Sequence, residues 1–188
     1  MTEPAEPRPT PPRSDPQAPP PATKDWTWTL TRACPDCGFE AASVERDAIP
    51  ALVRDAVTRL GDTLSRPEPG RRPDPVTWSP LEYACHARDV CRLFTERLWL
   101  MRHEAGPRFA DWDQDETAVR ARYWEQDAAL VDGELREAGE TVAAEFADVT
   151  ADEWGRPGTR SNGSEFTVET LGRYLVHDLV HHVWDVRG

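Results

Sequence analysis

Apolar residues recur at helical spacing in four separate stretches of this sequence. They stand at i, i+3, i+4 and i+7, which is the pattern of one buried helix face. A capping box formed by Ser79 and Glu82 starts the second stretch, and Thr167 is a suitable N-cap for the last. Four main helices joined by moderate loops predict an all-α fold, a four-helix bundle. The stretches run over residues 47 to about 64, 79 to about 101, about 127 to 149, and from 167 onward.

The first 25 residues differ from the rest in composition. Proline dominates residues 1–25, with Glu, Arg, Thr and Ser between and almost nothing to bury, which predicts a disordered tail. Residues 26–188 form the predicted bundle domain. Within it, residues 26–46 are expected to be an extended strap, suggested by the alternation in Trp-Thr-Trp-Thr-Leu at 26–30, followed by a Cys-x-x-Cys knuckle.

Charge and hydropathy exclude two classes of partner. The net charge of -12 argues against nucleic-acid binding, because such a surface repels phosphate. No run approaches the roughly 18 apolar residues of a membrane span, and the N-terminus lacks the apolar core of a signal peptide. The expected location is therefore the cytoplasm, where the four cysteines would be reduced thiols or ligands and not a disulfide framework.

The last helix carries a pair of histidines suited to a metal ion. His177 and His181 lie one turn apart on one face, so both imidazoles can reach one metal. His86, on the second helix, is the candidate third ligand, although a lone inward histidine would otherwise be a core residue. Three imidazoles leave at least one open coordination position, as in a catalytic site. His182 is turned about a third of a helical circle away and is not expected to be a ligand.

Cys34 and Cys37 form a single Cys-x-x-Cys motif. A closed zinc site needs four ligands, and there is no second motif of this kind. Three interpretations stay open: a second metal site, a redox pair, and a structural turn, which is the default.

Four residues are candidate substrate-binding groups. Arg97 could hold a carboxylate in bidentate fashion. Trp112 and Asp113 belong to an acidic, aromatic connection that would be either a lid over the site or a solvated loop. Tyr174 shares the helix face of His177 and His181.

Three carboxylates are candidates to orient the imidazoles. Asp178 and Asp185 are helical neighbours of the expected ligands, and Asp89 is three residues from His86. Each could accept a ring N–H, and a surface position is favoured for two of the three.

Two motifs together resemble a known family. Residues 78–86, Trp-Ser-Pro-Leu-Glu-Tyr-Ala-Cys-His, with 177–181, His-Asp-Leu-Val-His, resemble the DinB-like superfamily, which includes the mycothiol-dependent maleylpyruvate isomerases. The resemblance covers roughly residues 47–186, and the Cys-Pro-Asp-Cys-Gly-Phe segment is similar to one in an actinobacterial branch. It implies a four-helix bundle that holds a divalent metal, often zinc or nickel, on His86, His177 and His181.

The same resemblance implies a reaction. Several members of the family transfer a low-molecular-weight thiol, so the leading expectation is a metal-dependent thiol transferase that activates mycothiol for attack on a small electrophile. A metal-dependent hydrolase on the same ligands and a non-catalytic metal-binding interaction module are the alternatives. The expected partners are a small-molecule substrate and the thiol. The oligomeric state stays open, with a homodimer as one option.

Overall fold

A computed structural model describes residues 26–188, and the predicted Pro-rich tail of residues 1–25 lies outside them. Four long helices of this part pack as a bundle, with α2 against α4 and α5 and α1 against α4 and α5. The all-α, four-helix-bundle prediction is thereby confirmed. The α-helices are α1 (Ile49–Thr63), α2 (Pro80–His103), α3 (Gln114–Arg120), α4 (Ala128–Ala147) and α5 (Val168–Asp185).

Side-chain caps start three of the long helices where the sequence predicts them. Ser79 opens α2 with a complete capping box, in which the Glu82 carboxylate accepts the Ser79 N–H at 2.9 Å. Thr167 opens α5, its hydroxyl accepting the N–H of Thr170. The Asp127 carboxylate accepts two N–H groups in the first turn of α4. These caps fix where α2 and α5 begin, and both helices carry the chemistry described below.

The segment before α1 differs from its prediction. Residues Trp26–Leu30 form a 3-10 helix and not an extended strap. The hydroxyl of Thr29 donates to the Trp26 carbonyl at 2.8 Å, and such local side-chain bonds favour a turn over an extended chain. The first helix also begins later than the predicted residue 47, because α1 begins at Ile49 after a separate 3-10 turn, Arg46–Ala48.

Helix α3 was not foreseen in the connection that follows α2. Its start is the Asp113 carboxylate, which accepts the N–H of Glu116 at 2.8 Å. The helix has only seven residues, too few for an apolar period to stand out in the sequence.

A small sheet packs beside the bundle. Its strands are β1 (Arg108–Phe109), β2 (Pro157–Arg160) and β3 (Glu165–Thr167). Strands β2 and β3 form an antiparallel hairpin, and β1 pairs in parallel with β2. Residues 160–164 form the tip of this hairpin, with Gly163 at φ +95°. The hairpin leads directly into α5.

Close packing between α1 and α4 depends on one glycine. A Cβ on Gly139 would lie 2.6 Å from Cγ2 of Val57, so only glycine allows this approach.

Among the helices of residues 26–188, none is both long and apolar enough to cross a membrane.

Candidate metal centres

Helix α5 presents two neighbouring pairs of ligand side chains. His177 and His181 are one pair at i, i+4, and Asp178 and His182 are another. Successive residues of an α-helix are rotated by about 100°, so the two pairs face different neighbours. One pair meets the Cys-x-x-Cys segment, and the other meets α2.

The pocket cluster consists of His86, Asp178 and His182, which offer ligand atoms within 4.8 Å of one another. Oδ1 of Asp178 lies 3.5 Å from Nε2 of His86 and 3.5 Å from Nε2 of His182. Ligand atoms bound at about 2.0–2.2 Å to a tetrahedral zinc ion would stand about 3.4 Å apart. The spacing therefore fits one shared cation with little movement.

Buried polar atoms of this cluster lack hydrogen bonds. His86 is 1% exposed, and neither of its ring nitrogens has a hydrogen-bond partner within residues 26–188. Oδ1 of Asp178 is also buried and has no hydrogen-bond partner within these residues. A buried polar atom without a partner costs about 1–3 kcal/mol, and a metal ion at Nε2 and Oδ1 would satisfy both atoms. The residues present thus fit a divalent cation.

Asp185 orients His182 from behind. Nδ1 of His182 donates to Oδ2 of Asp185 at 2.8 Å, which leaves the Nε2 lone pair directed toward Asp178 and His86. Stacking holds the His86 ring, whose centroid is 5.3 Å from that of Trp112 with the planes 13° apart. The ligand side chains are therefore held in place by the protein itself.

Charge at the pocket cluster favours a cation. Burial would raise the pKa of Asp178, but His182 and His86 outweigh it and bring that pKa to about 2. Burial lowers the pKa of His86, against the attraction of Asp178. Burial also acts to lower the pKa of His182, yet Asp178 and Asp185 together raise it. At neutral pH the cluster offers an ionised carboxylate and a neutral His86.

A pocket of about 260 Å³ opens beside these ligands. Its walls combine aromatic side chains with titratable ones, and the buried His86 is not among the lining residues. The lining residues are Trp26, Val76, Trp78, Tyr83, Gln114, Asp115, Tyr174, His177, Asp178, His181, His182 and Asp185.

The knuckle cluster consists of Cys34, Cys37, His177 and His181, whose ligand atoms also lie within 4.8 Å of one another. Sγ of Cys34 is 3.6 Å from Nδ1 of His181. Burial lowers the pKa of His177 to about 4 and raises that of Cys37 to about 11. In the metal-free chain the imidazole is therefore neutral and the Cys37 thiol is protonated.

The structure divides the predicted three-histidine ligand set. It brings His177 and His181 together, but it places His86 with Asp178 and His182. The sequence-based prediction excludes His182 because this residue is rotated about a third of a helical circle away from the face of His177 and His181. The missed signal is Asp178-x-x-x-His182, which has the same i, i+4 spacing. Of the predicted orienting carboxylates, Asp185 does contact a histidine ring.

The predicted substrate-binding residues have separate surroundings. Arg97 is 4% exposed and donates to the Ala110 carbonyl, and burial lowers its pKa to about 10. Trp112 stacks on His86. Asp113 is occupied as the cap of α3. Tyr174 lines the pocket, and so does Gln114 from the connection predicted to be a lid or a loop.

Comparisons with known proteins agree with this architecture. A family model described as the DinB superfamily matches residues 47–186. A solved structure also resembles the chain: "YfiT from Bacillus subtilis is a probable metal-dependent hydrolase with an unusual four-helix bundle topology". It aligns with a TM-score of 0.68 at 16% identity, covering 77% of this chain and 87% of that one. The comparison with curated proteins found no match.

Proposed function

The chain belongs to the DinB superfamily, and on that premise we propose that it is a metal-dependent enzyme acting at the pocket cluster. The observation that carries the proposal is the pair of buried ligand atoms, Nε2 of His86 and Oδ1 of Asp178, which lie 3.5 Å apart and have no hydrogen bonds among the described residues. Asp178 and His182, but not His86, line the pocket. Two imidazoles and a carboxylate are a donor set suited to zinc or nickel.

Three protein ligands are fewer than a divalent cation takes, so one or more positions stay open to the pocket. Asp178 contributes one negative charge, and two neutral imidazoles contribute none, which leaves a net charge of about +1 at the site. When bound, such a cation acts as a Lewis acid that lowers the pKa of a coordinated thiol or water. Asp185 holds His182 in the tautomer that this arrangement needs.

We propose a low-molecular-weight thiol, with mycothiol as the first candidate, as the nucleophile, and a small electrophile as its acceptor. The family resemblance supports a thiol, and a cytoplasmic location would supply one. The thiol sulfur would displace a leaving group from the electrophilic carbon. The S–C bond would form as the bond to the leaving group breaks, the leaving group would take that electron pair, and the thiol proton would pass to solvent. Hydrolysis is the second candidate, favoured by the description of the aligned structure as a probable metal-dependent hydrolase.

Pocket residues would position the two substrates. Burial and the neighbouring Asp185 carboxylate raise the pKa of Tyr83, so its phenol keeps its proton, directed to Asp185, and its oxygen can accept a hydrogen bond from a substrate. The amide of Gln114, another lining residue, offers both a donor and an acceptor. The aromatic faces of Trp26 and Trp78 suit an apolar part of a substrate.

Thiol binding tests this proposal. The zinc-loaded protein is titrated calorimetrically with mycothiol and with the analogue in which a hydroxyl replaces the thiol. We expect the thiol to bind at least about tenfold more tightly than the alcohol, because only a coordinated thiol is deprotonated by the metal.

The control is His86→Ala, confirmed as folded by circular dichroism, in which the preference for the thiol should disappear. Equal binding of thiol and alcohol by the wild type would contradict thiol transfer. Ester hydrolysis that depends on His86 would then favour the hydrolase. Neither activity would favour the non-catalytic interaction module.

A further inference from the structure

We propose that Cys34, Cys37, His177 and His181 form a second metal site, a closed structural zinc site that fastens residues 26–39 onto α5. This site is independent of the proposed function, because it shares no ligand with the pocket cluster.

The four donors match the geometry that zinc prefers. Zinc is bound by thiolates at about 2.3 Å and by imidazoles at about 2.0–2.1 Å, so a tetrahedral site separates sulfur from nitrogen by about 3.5–3.6 Å. Sγ of Cys34 and Nδ1 of His181 are 3.6 Å apart. Two thiolates and two imidazoles in tetrahedral order select zinc over harder cations.

A buried, unpartnered nitrogen points to the same ligand. His177 is 3% exposed, and its Nε2 has no hydrogen-bond partner among the described residues. Trp26 covers both histidines, with ring centroids 5.9 Å from His177 and 5.1 Å from His181. Phe39 packs on His177 at 5.7 Å. A nitrogen enclosed in this way is costly to bury unless something binds it.

The Cys-x-x-Cys turn already has the shape that directs both sulfurs to one side. The N–H of Cys34 donates to the Phe39 carbonyl at 2.9 Å, and the N–H of Gly38 donates to the Cys34 carbonyl at 2.9 Å. Gly38 has φ +74°, a backbone conformation that is unfavourable for residues with a Cβ atom. The turn is therefore closed by its own backbone and would need little rearrangement to bind zinc.

Charge and coordination number separate this site from the pocket cluster. Two thiolates neutralise Zn²⁺, and four protein ligands complete its tetrahedron. Binding releases the two thiol protons to solvent. A neutral, saturated zinc ion has no position for substrate, whereas the pocket cluster has three ligands and an uncompensated charge.

The consequence is a fixed pocket wall. Residues 26–39, which supply Cys34 and Cys37, precede the 47–186 region that matches the family, whereas His177 and His181 lie within it. The zinc ion would therefore join an N-terminal segment to the matched bundle. Trp26, carried by this segment, lines the pocket next to His181. Zinc would therefore hold one wall of the pocket in place from outside the bundle.

Metal content tests the site directly. Protein purified without an affinity tag from zinc-supplemented medium is compared as wild type, the double variant Cys34→Ser/Cys37→Ser, and His86→Ala. We expect the double variant to lose about one zinc ion per chain and to keep the metal of the pocket cluster. His86→Ala should lose the metal of the pocket cluster and keep the zinc of the knuckle cluster. Each variant would then lose the metal of one cluster only.

A second measurement avoids dependence on the folding of a variant. In the native wild-type chain, a mercurial reagent is titrated against the accessible thiols while free zinc is followed with a chromogenic chelator. Cys37 is half-buried, whereas Cys34, Cys85 and Cys91 are buried, so the first equivalent reports on Cys37. Loss of this one thiolate opens the tetrahedron, so release of about one zinc ion as the first equivalent reacts supports the site.

Modification of both thiols without zinc release would overturn the proposal. So would full zinc retention in the double variant, or a disulfide between Cys34 and Cys37 in the purified chain.

Discussion

His181 and His182 are adjacent in the chain and belong to different clusters. Nδ1 of His181 lies 3.6 Å from Sγ of Cys34, whereas Nε2 of His182 lies 3.5 Å from Oδ1 of Asp178. The Asp185 carboxylate lies between them, accepting from His182 at 2.8 Å and standing 3.9 Å from Nε2 of His181. One turn of α5 thus contributes one histidine to the pocket cluster and one to the knuckle cluster, and the Asp185 carboxylate borders both clusters.

Substituting these two neighbours one at a time should remove different metals. In cobalt-substituted protein we expect His182→Ala to lose the pocket cobalt and to retain the near-ultraviolet thiolate-to-cobalt absorption of the knuckle cluster. His181→Ala should weaken that absorption and keep the pocket cobalt, because each variant removes a ligand from one cluster only. The same spectral change in both variants would mean that the histidines share one ion.

Asp185→Asn should weaken the pocket metal without removing a ligand. The amide no longer offers a charged acceptor to Nδ1–H of His182, so the ligand tautomer is less favoured. We expect a fall of about 10–100-fold in metal affinity, measured by competition with a chelator of known affinity. Asp55→Asn is the matched control, since that carboxylate is 67% exposed on α1. An unchanged affinity in Asp185→Asn would argue against the orienting role.

Two glycines of α4 should respond in opposite directions to the same substitution. Gly139→Ala places a Cβ 2.6 Å from Val57, which should destabilise the fold by about 1–3 kcal/mol through overpacking. Gly133 has open space around its Cβ position, so Gly133→Ala should stabilise by about 0.5–1 kcal/mol through helix propensity. Chemical denaturation measures both. A stabilised Gly139→Ala would show that α1 and α4 are not in close contact there.

Glu153 should contribute a pH-dependent stability to the metal-free protein. The Thr150 N–H and the Arg102 guanidinium lower the pKa of this carboxyl to about 2, against 4.5 for the ordinary group. Between these values the unfolded chain binds the proton and the folded chain does not, so acid favours unfolding. The contribution is therefore complete above about pH 4.5 and is lost as the pH falls toward about 2.

Denaturant titrations of wild type and Glu153→Gln over this pH range check the sign. The free-energy difference between them should shrink on acidification. Glu137→Gln, at an exposed position of α4, is the control. A difference that grows as the pH falls would contradict the assignment.

The helical scaffold follows from local information in the sequence. The apolar period of α1, α2, α4 and α5 and the caps at Ser79 and Thr167 act within a few residues, and the sequence therefore predicts them. The pairing of His177 with His181 is likewise a property of one helix. The seven-residue helix α3 and the 3-10 turn Trp26–Leu30 were missed because segments so short carry no clear period.

Which ligands meet was decided by the tertiary structure. Both i, i+4 pairs of α5 are visible in the sequence, but only the rotation of α5 about its axis decides which pair faces α2 and His86. The partners of Cys34 are equally nonlocal, since His181 is 147 residues away. A Cys-x-x-Cys motif alone is half a zinc site, and chain folding brings the other half beside it. Sequence thus determined the helices and the donor types, whereas helix rotation and long-range packing sorted the donors into two clusters.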